Sequence, residues 1–283
     1  MREDFAIFIL THGRADYVLT LKTILKCGYT GKWYLIIDNE DSQADMYYQN
    51  FGEEHIVMFD KYKKSLEIDT CDIPRERNAV IYARESCFEI AEKLGIKYFL
   101  ELDDDYTEFR SRVLENNIFT SYYVLDLDSI INEYISFLDN SNAHCVAFAQ
   151  TGDFIGGTGS NLYKKKIIRK AMNAFFCSTD RPFSFIGRMN DDVNTYVLEG
   201  SRGKLFFTPH DMTLNQIETQ KNKGGLTDMY EQYGTYVKSF FSVMTNPSSI
   251  KIYEMGCSSR RIHHRIEWNN AVPCIIRENF KKK

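Results

Sequence analysis

The chain has 283 residues, 43% hydrophobic and 26% charged, the composition of a soluble globular protein with length enough for a sizeable core. A net charge of -4 and a pI of about 5.9 exclude a chain that is basic throughout, so any polyanion contact must come from a local patch. Seven cysteines, odd in number and without a CxxC pair, argue against a zinc ribbon or a disulfide framework and for a reducing compartment. No apolar run approaches the length of a membrane span and no basic start precedes an apolar leader, so a soluble cytoplasmic protein is expected. The 20 Phe and 18 Tyr predict an aromatic-rich core.

Phe5 to Leu10 reads as a buried strand, followed by the loop Thr11-His12-Gly13-Arg14. Tyr17, Leu21, Ile24 and Leu25 recur at helical spacing, with Gly28 as the stop. Trp33 to Ile37 is a second buried strand ending at Asp38-Asn39, so the opening reads as a right-handed βαβ crossover. Asp38, at that strand end, can accept hydrogen bonds from a nucleobase or ribose, or simply make a polar turn. Ile56 to Phe59 is a short third strand. Asp72 to Asn78 opens a helix, with Pro74 in its first turn, and Val80, Ala83, Cys87, Ile90, Ala91 and Leu94 form its buried stripe. Arg77 and Arg84, seven apart, are expected on one helix face, either solvated beside Glu76 and Glu85 or reaching a diphosphate.

Tyr98 to Leu102 is a short apolar strand that runs into Asp103-Asp104-Asp105. Open α/β sheets bind ligands just outside the carboxyl ends of their strands. Asp103 and Asp105 flank one residue and can converge on a hard divalent cation such as Mg²⁺ or Mn²⁺, which shares such oxygens with phosphates. The plain alternative is an acidic turn that caps the next segment. Asp126 to Leu138 keeps helical spacing, and Ala143 to Gln150 reads as one buried strand. The Gly156-Gly157-Thr158-Gly159 loop lacks the order and the terminal Lys-Ser/Thr of a P-loop, which excludes that ATPase reading; its glycines are expected to let backbone approach a substrate. Lys164 to Lys166 with Arg169 and Lys170 read as a basic helix face.

Asn190-Asp191-Asp192 is a second acidic cluster ahead of a helix, either a base with an orienting partner or an N-cap pair. Leu205 to Thr208 is a strand ending at Pro209-His210-Asp211, where His210 can complete a metal shell. Lys221 to Thr227 reads as a lid loop and Met229 to Phe241 as a helix. The tail holds the best basic patch, Arg260-Arg261-Ile262-His263-His264-Arg265, with Trp268 able to stack a base and Lys281 to Lys283 at the end.

With these motifs in order, residues 5–210 resemble GT-A glycosyltransferases of the large inverting family-two type. Ile36 to Asn39 resembles that family's second strand with its base-binding acid, Arg77-Asn78-Ala79 its Ala-Arg-Asn helix start and Leu102 to Asp105 its DXD motif. Gly156 to Lys166 resembles its glycine loop, and Asn190-Asp191-Asp192 its xED motif. Asp191 replaces the usual Glu, and the C-terminal QxxRW of processive synthases is absent. The Thr11–Arg14 loop and His263 to Trp268 look more narrowly like the TET/JBP-associated glycosyltransferases, which modify hydroxymethylated pyrimidines in DNA.

The resemblance implies an α/β GT-A fold with a mostly parallel central sheet, as one domain over 1–283 with a donor half (1–125) and an acceptor half (126–283). It implies Mn²⁺ or Mg²⁺ on Asp103, Asp105 and His210, and a UDP-sugar donor, UDP-glucose first, held by Thr11, Arg14, Asp38, Arg77, Asn78 and Asp103. Asp192, or else Asp191, would be the catalytic base. Gly156, Gly157, Arg260, Arg261, His263, His264 and Trp268 would face the acceptor, preferably DNA carrying hydroxymethylated bases, in a host cytoplasm if the protein is of phage origin. The alternatives are transfer to a cell-surface saccharide or protein, and a catalytically silent nucleotide- or DNA-binding module. No membrane partner is expected.

Overall fold

The computed structural model describes residues 1–71, 77–165, 168–217, 234, 237–255 and 261–273. The first half runs β1 (Phe5–Leu10), α1 (Leu19–Lys26), β2 (Lys32–Asp38), α2 (Ala44–Phe51), β3 (Ile56–Phe59), α3 (Lys61–Ser65), α4 (Ile81–Lys93) and β4 (Tyr98–Asp103). It continues with β5 (Tyr106–Glu115), β6 (Ile118–Tyr123), α5 (Leu127–Asn140), β7 (Cys145–Val146), β8 (Ala149–Gln150) and β9 (Ala174–Ser178). Last come α6 (Asp191–Ser201), β10 (Phe206–Phe207), β11 (Met212–Gln216), α7 (Val237–Thr245), β12 (Ile250–Met255) and β13 (Arg261–Ile266). No helix among the described residues is long and apolar enough to cross a membrane.

Every residue of β1 is buried, as its unbroken apolar run requires of a central strand covered on both faces. Alternation sorts its side chains. Phe5, Ile7 and Ile9 join one core with Leu21 and Ile24 of α1, Tyr47 of α2, and Leu127 and Ile131 of α5. Ala6, Phe8 and Leu10 join the other, with Ile81 and Phe88 of α4 and Val193 and Tyr196 of α6. Aromatic rings stack through both cores, as Phe8 does on Phe99.

The main sheet has seven strands in the order β10-β7-β9-β4-β1-β2-β3. β4, β1, β2 and β3 are mutually parallel, whereas β9 runs antiparallel to both β4 and β7. The chain first builds outward from β1 to β3, and α4 then returns it to the other side of β1 as β4. The strand order therefore reverses between β1 and β4, the crevice in which open α/β sheets hold ligands. A second sheet of four strands, in the order β6-β5-β11-β8, rises directly from the end of β4.

Several elements depart from the sequence reading. Ala143–Gln150 forms two short strands in different sheets, because the chain crosses from one to the other between them. The β5–β6 hairpin turns on Asn116 and Asn117, both with positive φ, a conformation Asn tolerates and two-residue hairpins need. Lys164 to Lys170 does not form a helix among its described residues; a short 3-10 turn covers Tyr163–Lys165, and Lys170 pairs with Asp153 at 2.6 Å. The expected lid at 221–227 and the helix start at 229–233 lie outside the described residues.

The glycine loop serves the fold at one position. Gly157 has φ +57°, and a Cβ there would run into the carbonyl oxygen of Asn117. The loop is pressed against the β5–β6 turn, with the Thr158 amide donating to Asn117 O at 3.1 Å. Gly159 has no such neighbour and no positive φ. Gly157→Ala is therefore expected to lower unfolding stability by about 1–3 kcal/mol in urea titration, while Gly159→Ala is neutral or slightly stabilising. Equal midpoints for the two variants would contradict this packing.

Candidate active site

The carboxyl ends of β1 and β4 are tied together by the acidic turn. Thr20 of α1 is fully buried and clamps the turn's backbone: its hydroxyl donates to Asp103 O at 2.5 Å and accepts from the Tyr106 amide at 2.9 Å, and its amide donates to Asp104 O. Asp104 points back into the β1 loop. It accepts from the Thr11 hydroxyl at 2.7 Å and pairs with Arg14. Burial pushes the Asp104 carboxyl up, and Arg14 and Thr11 act against that. Thr11 and Arg14 thus hold the turn, with Tyr47 bonded to both the Thr11 hydroxyl and the Arg14 amide. Asp103 and Asp105, the flanking residues, are left half-buried rather than enclosed.

Asp103 meets a second acidic cluster through a residue whose role the sequence reading left open. Arg84 of α4 is 4% exposed and donates to Asp103 Oδ1 at 3.3 Å and to Asp191 Oδ2 at 2.6 Å. Its guanidinium lies over the rings of Phe175 and Phe185, at 4.9 and 5.6 Å from their centroids. Burial works against its charge, but Asp191, Asp103, Asp192 and Glu101 outweigh it and hold the guanidinium firmly cationic. Asp191 and Asp192 are the first residues of α6, where a helix N-terminus favours negative charge. Asn190, before them, has φ 51°, and its amide fixes the turn to α7 by donating to Lys238 O and Ser242 Oγ, both at 3.0 Å.

The two acids of α6 differ. Asp191 is committed to Arg84, although burial still raises its pKa. Asp192 accepts from the Val193 amide at 2.7 Å, and burial, then Asp191, pushes its pKa up to about 6. A carboxylate poised near the working pH is suited to general-base work. Glu85 is pushed up to about 7 by burial, and Glu101 well above its ordinary range for the same reason.

A profile of the TET-associated glycosyltransferase family matches residues 5–225. The chain belongs to the TET-associated glycosyltransferase family. No curated protein sequence matches the chain. Among solved structures, glucosyl-3-phosphoglycerate synthase from Mycobacterium tuberculosis, in complex with Mn²⁺, uridine diphosphate and phosphoglyceric acid, is similar over 93% of this chain and 87% of its own, with 8% identity and a TM-score of 0.44. Mannosyl-3-phosphoglycerate synthase from Rubrobacter xylanophilus is similar over 93% and 86%, with 10% identity and a TM-score of 0.43.

The other expected site residues of this glycosyltransferase fall as follows. Asp38 ends β2, buried, and accepts from His12 and Lys61. Arg77 precedes α4 instead of sharing a face with Arg84; it is bound by Glu40 at 2.5 Å and stacks over Tyr62, and Asn78 beside it is exposed. Asp103, Asp105 and His210 do not gather into a metal shell, and no three His, Cys, Asp or Glu side chains do so among the described residues. His210 packs instead among the rings of Phe119, Tyr163 and Phe154. Gly156 takes φ +92°, and a Cβ there would meet only Ser160, at 3.9 Å, unlike at Gly157.

In the tail, His263 and His264 lie on β13 with rings 4.4 Å apart, and burial lowers His264 to about 4, so it is neutral at physiological pH. Arg261 begins β13, whereas Arg260 and Lys281 to Lys283 lie outside the described residues. Trp268 stacks on Tyr196 at 6.0 Å and under Arg169 at 5.1 Å. Thr20 and Glu85 are residues to which the sequence reading gave no role, whereas Arg84, expected either solvated or on a diphosphate, is buried between Asp103 and Asp191. Arg84 carried one signal: it stands one residue from Ala83 and three from Cys87, inside the apolar stripe of its helix.

Glu85 gives a pH test of this buried acid cluster. Its folded pKa of about 7 stands above the ordinary 4.5, so its contribution is favourable below about pH 4.5 and is lost as pH rises through about 7. Glu85→Gln keeps an oxygen for the Phe185 amide and removes that loss. The variant is expected to exceed the wild type in stability above neutral pH, by up to roughly 3 kcal/mol, with the gap closing on acidification. Parallel stability-versus-pH curves would contradict the burial of Glu85.

Proposed function

We propose that this glycosyltransferase moves a sugar from a nucleotide-sugar donor, a UDP-sugar with UDP-glucose first to be tried, onto a hydroxyl with inversion. The observation that carries this reading is the bridge from Asp103 through Arg84 to Asp191, which brings the acidic turn of β4 and the acidic start of α6 to one place. Asp103 and Asp105 would hold Mg²⁺ or Mn²⁺. They offer two hard oxygen ligands at a half-open turn, a set that fits a cation completing its shell with waters and phosphates. Such a cation supplies charge for the departing diphosphate.

The protein's own part is positional and proton-handling. Thr20, Thr11 and Arg14 keep the acidic turn rigid beneath the donor. Asp192 takes the proton of the acceptor hydroxyl as its oxygen bonds to the sugar carbon and the bond from that carbon to the diphosphate breaks. Arg84 engages Asp191 through a 2.6 Å hydrogen bond, which leaves Asp192 as the base. One base without a nucleophilic partner gives a single displacement, hence inversion.

For the acceptor, we favour the hydroxymethyl group of a modified pyrimidine in DNA, the substrate class that the family resemblance implies. A saccharide or protein hydroxyl is the second reading, favoured by Trp268, which is already sandwiched by Tyr196 and Arg169 rather than open to a base.

The test is a transfer assay with Mn²⁺, a panel of UDP-sugars, and DNA with or without hydroxymethylated pyrimidines, read as a sugar-sized mass gain on nucleosides. Gain on modified DNA alone supports the first acceptor. UDP release without gain moves the acceptor elsewhere, and neither product would sink the transfer reading for these donors. Asp192→Asn is expected to keep UDP binding and to lose transfer by about 10²-fold or more. Wild-type turnover should fall as pH drops below about 6, where Asp192 gains its proton. Unchanged turnover in the variant would remove Asp192 from the mechanism.

A further inference from the structure

His12 stands in the Thr11–Arg14 loop at the carboxyl end of β1, with its side chain 49% exposed. Its Nδ1 lies 2.7 Å from Asp38 Oδ2 and 3.7 Å from Asp41 Oδ2. The charged groups that face the ring are these two carboxylates, from β2 and the turn after it, and the ammonium of Lys61 on α3. Asp41 also accepts from the Gly13 amide at 2.7 Å and the Gln43 amide at 2.8 Å, so the loop carrying His12 is pinned. Asp38, by contrast, is only 4% exposed. Its oxygens already take His12, the Lys61 ammonium at 3.3 Å and the Glu40 amide at 3.1 Å. A carboxylate filled in this way has little left for a base. The half-exposed ring before it still has Nε2, which has no protein partner among the described residues.

We propose that His12, and not Asp38, is the residue that meets the nucleotide base, with its Nε2 donating to a carbonyl oxygen of a pyrimidine. The assignment rests on the nucleotide-sugar reading of the site. Charge supports the base over the diphosphate as the group bound here. Asp38 and Asp41 balance Lys61 and a protonated His12, so the patch is neutral and offers polar contacts without attraction for an anion. The diphosphate belongs on the β4 side of β1, with Asp103 and Asp105.

Asp38 also sets what the ring can recognise. The hydrogen bond to Asp38 requires a proton on Nδ1, so in the neutral ring Nε2 carries a lone pair and accepts. Only the imidazolium donates from both nitrogens. The Asp38 contact raises His12 above its ordinary pKa, while burial and Lys61 act the other way. Below that raised pKa the ring is a donor to a base carbonyl; above it the same nitrogen repels that oxygen.

The experiment is calorimetric titration of the full chain with UDP at saturating Mg²⁺, from about pH 5 to about pH 9, which brackets the ordinary histidine range and extends above it. Wild-type affinity is expected to fall as pH rises. His12→Ala should bind about ten-fold or more weakly at the acidic end, the scale of one charge-assisted hydrogen bond. His12→Gln, whose amide donates at every pH, should bind UDP and lose the pH dependence attributable to the ring. The β-phosphate of UDP titrates identically in all three proteins, so the differences between them isolate His12. Equal affinities of wild type and His12→Ala throughout would overturn the assignment and leave the nucleotide site standing. Absence of UDP binding by the wild type at any pH would overturn the nucleotide-sugar reading, and the assignment with it.

Discussion

One buried guanidinium organises this molecule. Arg84 lies between the end of β4 and the start of α6, two segments far apart in sequence that share no backbone pairing. Two carboxylates that approach each other in a buried place repel strongly unless a cation stands between them. Arginine suits the task better than lysine, because a planar fork with several donors can bond two carboxylates at once and still lie over aromatic rings. Phe175 and Phe185 supply those rings from β9 and from the segment that leads to α6. The antiparallel insertion of β9 beside β4 thus does more than extend the sheet: it builds the wall against which Arg84 is held.

That arrangement divides labour between neighbouring acids. Asp104 and Asp191 are committed inward, to Arg14 and Thr11 in one case and to Arg84 in the other. Asp103 and Asp105 beside Asp104 stay half-buried, and Asp192 beside Asp191 makes no bond to Arg84. A run of adjacent carboxylates is therefore not a redundant motif. Alternate members anchor the turn, and the anchors give the others their direction. The same logic holds at the end of β2, where the buried Asp38 orients His12 rather than standing in front of it.

This explains how far the residues alone could be read. The parallel core β1, β2, β3 and β4 was legible because unbroken apolar runs ending in polar turns have few other solutions in a chain of this size. The acidic turn and Asp191-Asp192 were legible as strand-end and helix-start chemistry. The β5–β6 hairpin was missed although Asn116-Asn117 is a hairpin turn signal, since β6 is largely exposed and lacks an apolar alternation. The splitting of Ala143–Gln150 between two sheets leaves no local mark, because residues 145–149 are all buried on either side of the crossing. Arg77 and Arg84 looked equivalent by spacing. Their different fates depend on where α4 begins, at Ile81, which puts Arg77 outside the helix and beside Glu40.

The energetics of the acid cluster bear on function independently of any motif. Glu101 is 1% exposed and has only the weak Cys87 thiol to hydrogen-bond, although it shares its strand face with Asp103 and lies near Arg84. Burying a carboxylate with so little to compensate it disfavours the ionised form, and burial raises Glu101 well above the ordinary carboxylate range against the pull of Arg84. An apolar side chain at that position would give a more stable core. Glu85 and Asp192, which each accept a backbone amide, are also raised toward neutrality by burial. A fold stabilised for its own sake would not gather so many acids around one arginine. Their collection beside the crevice where the strand order reverses is what one expects of a site in which proton affinity, rather than packing, is the property being set.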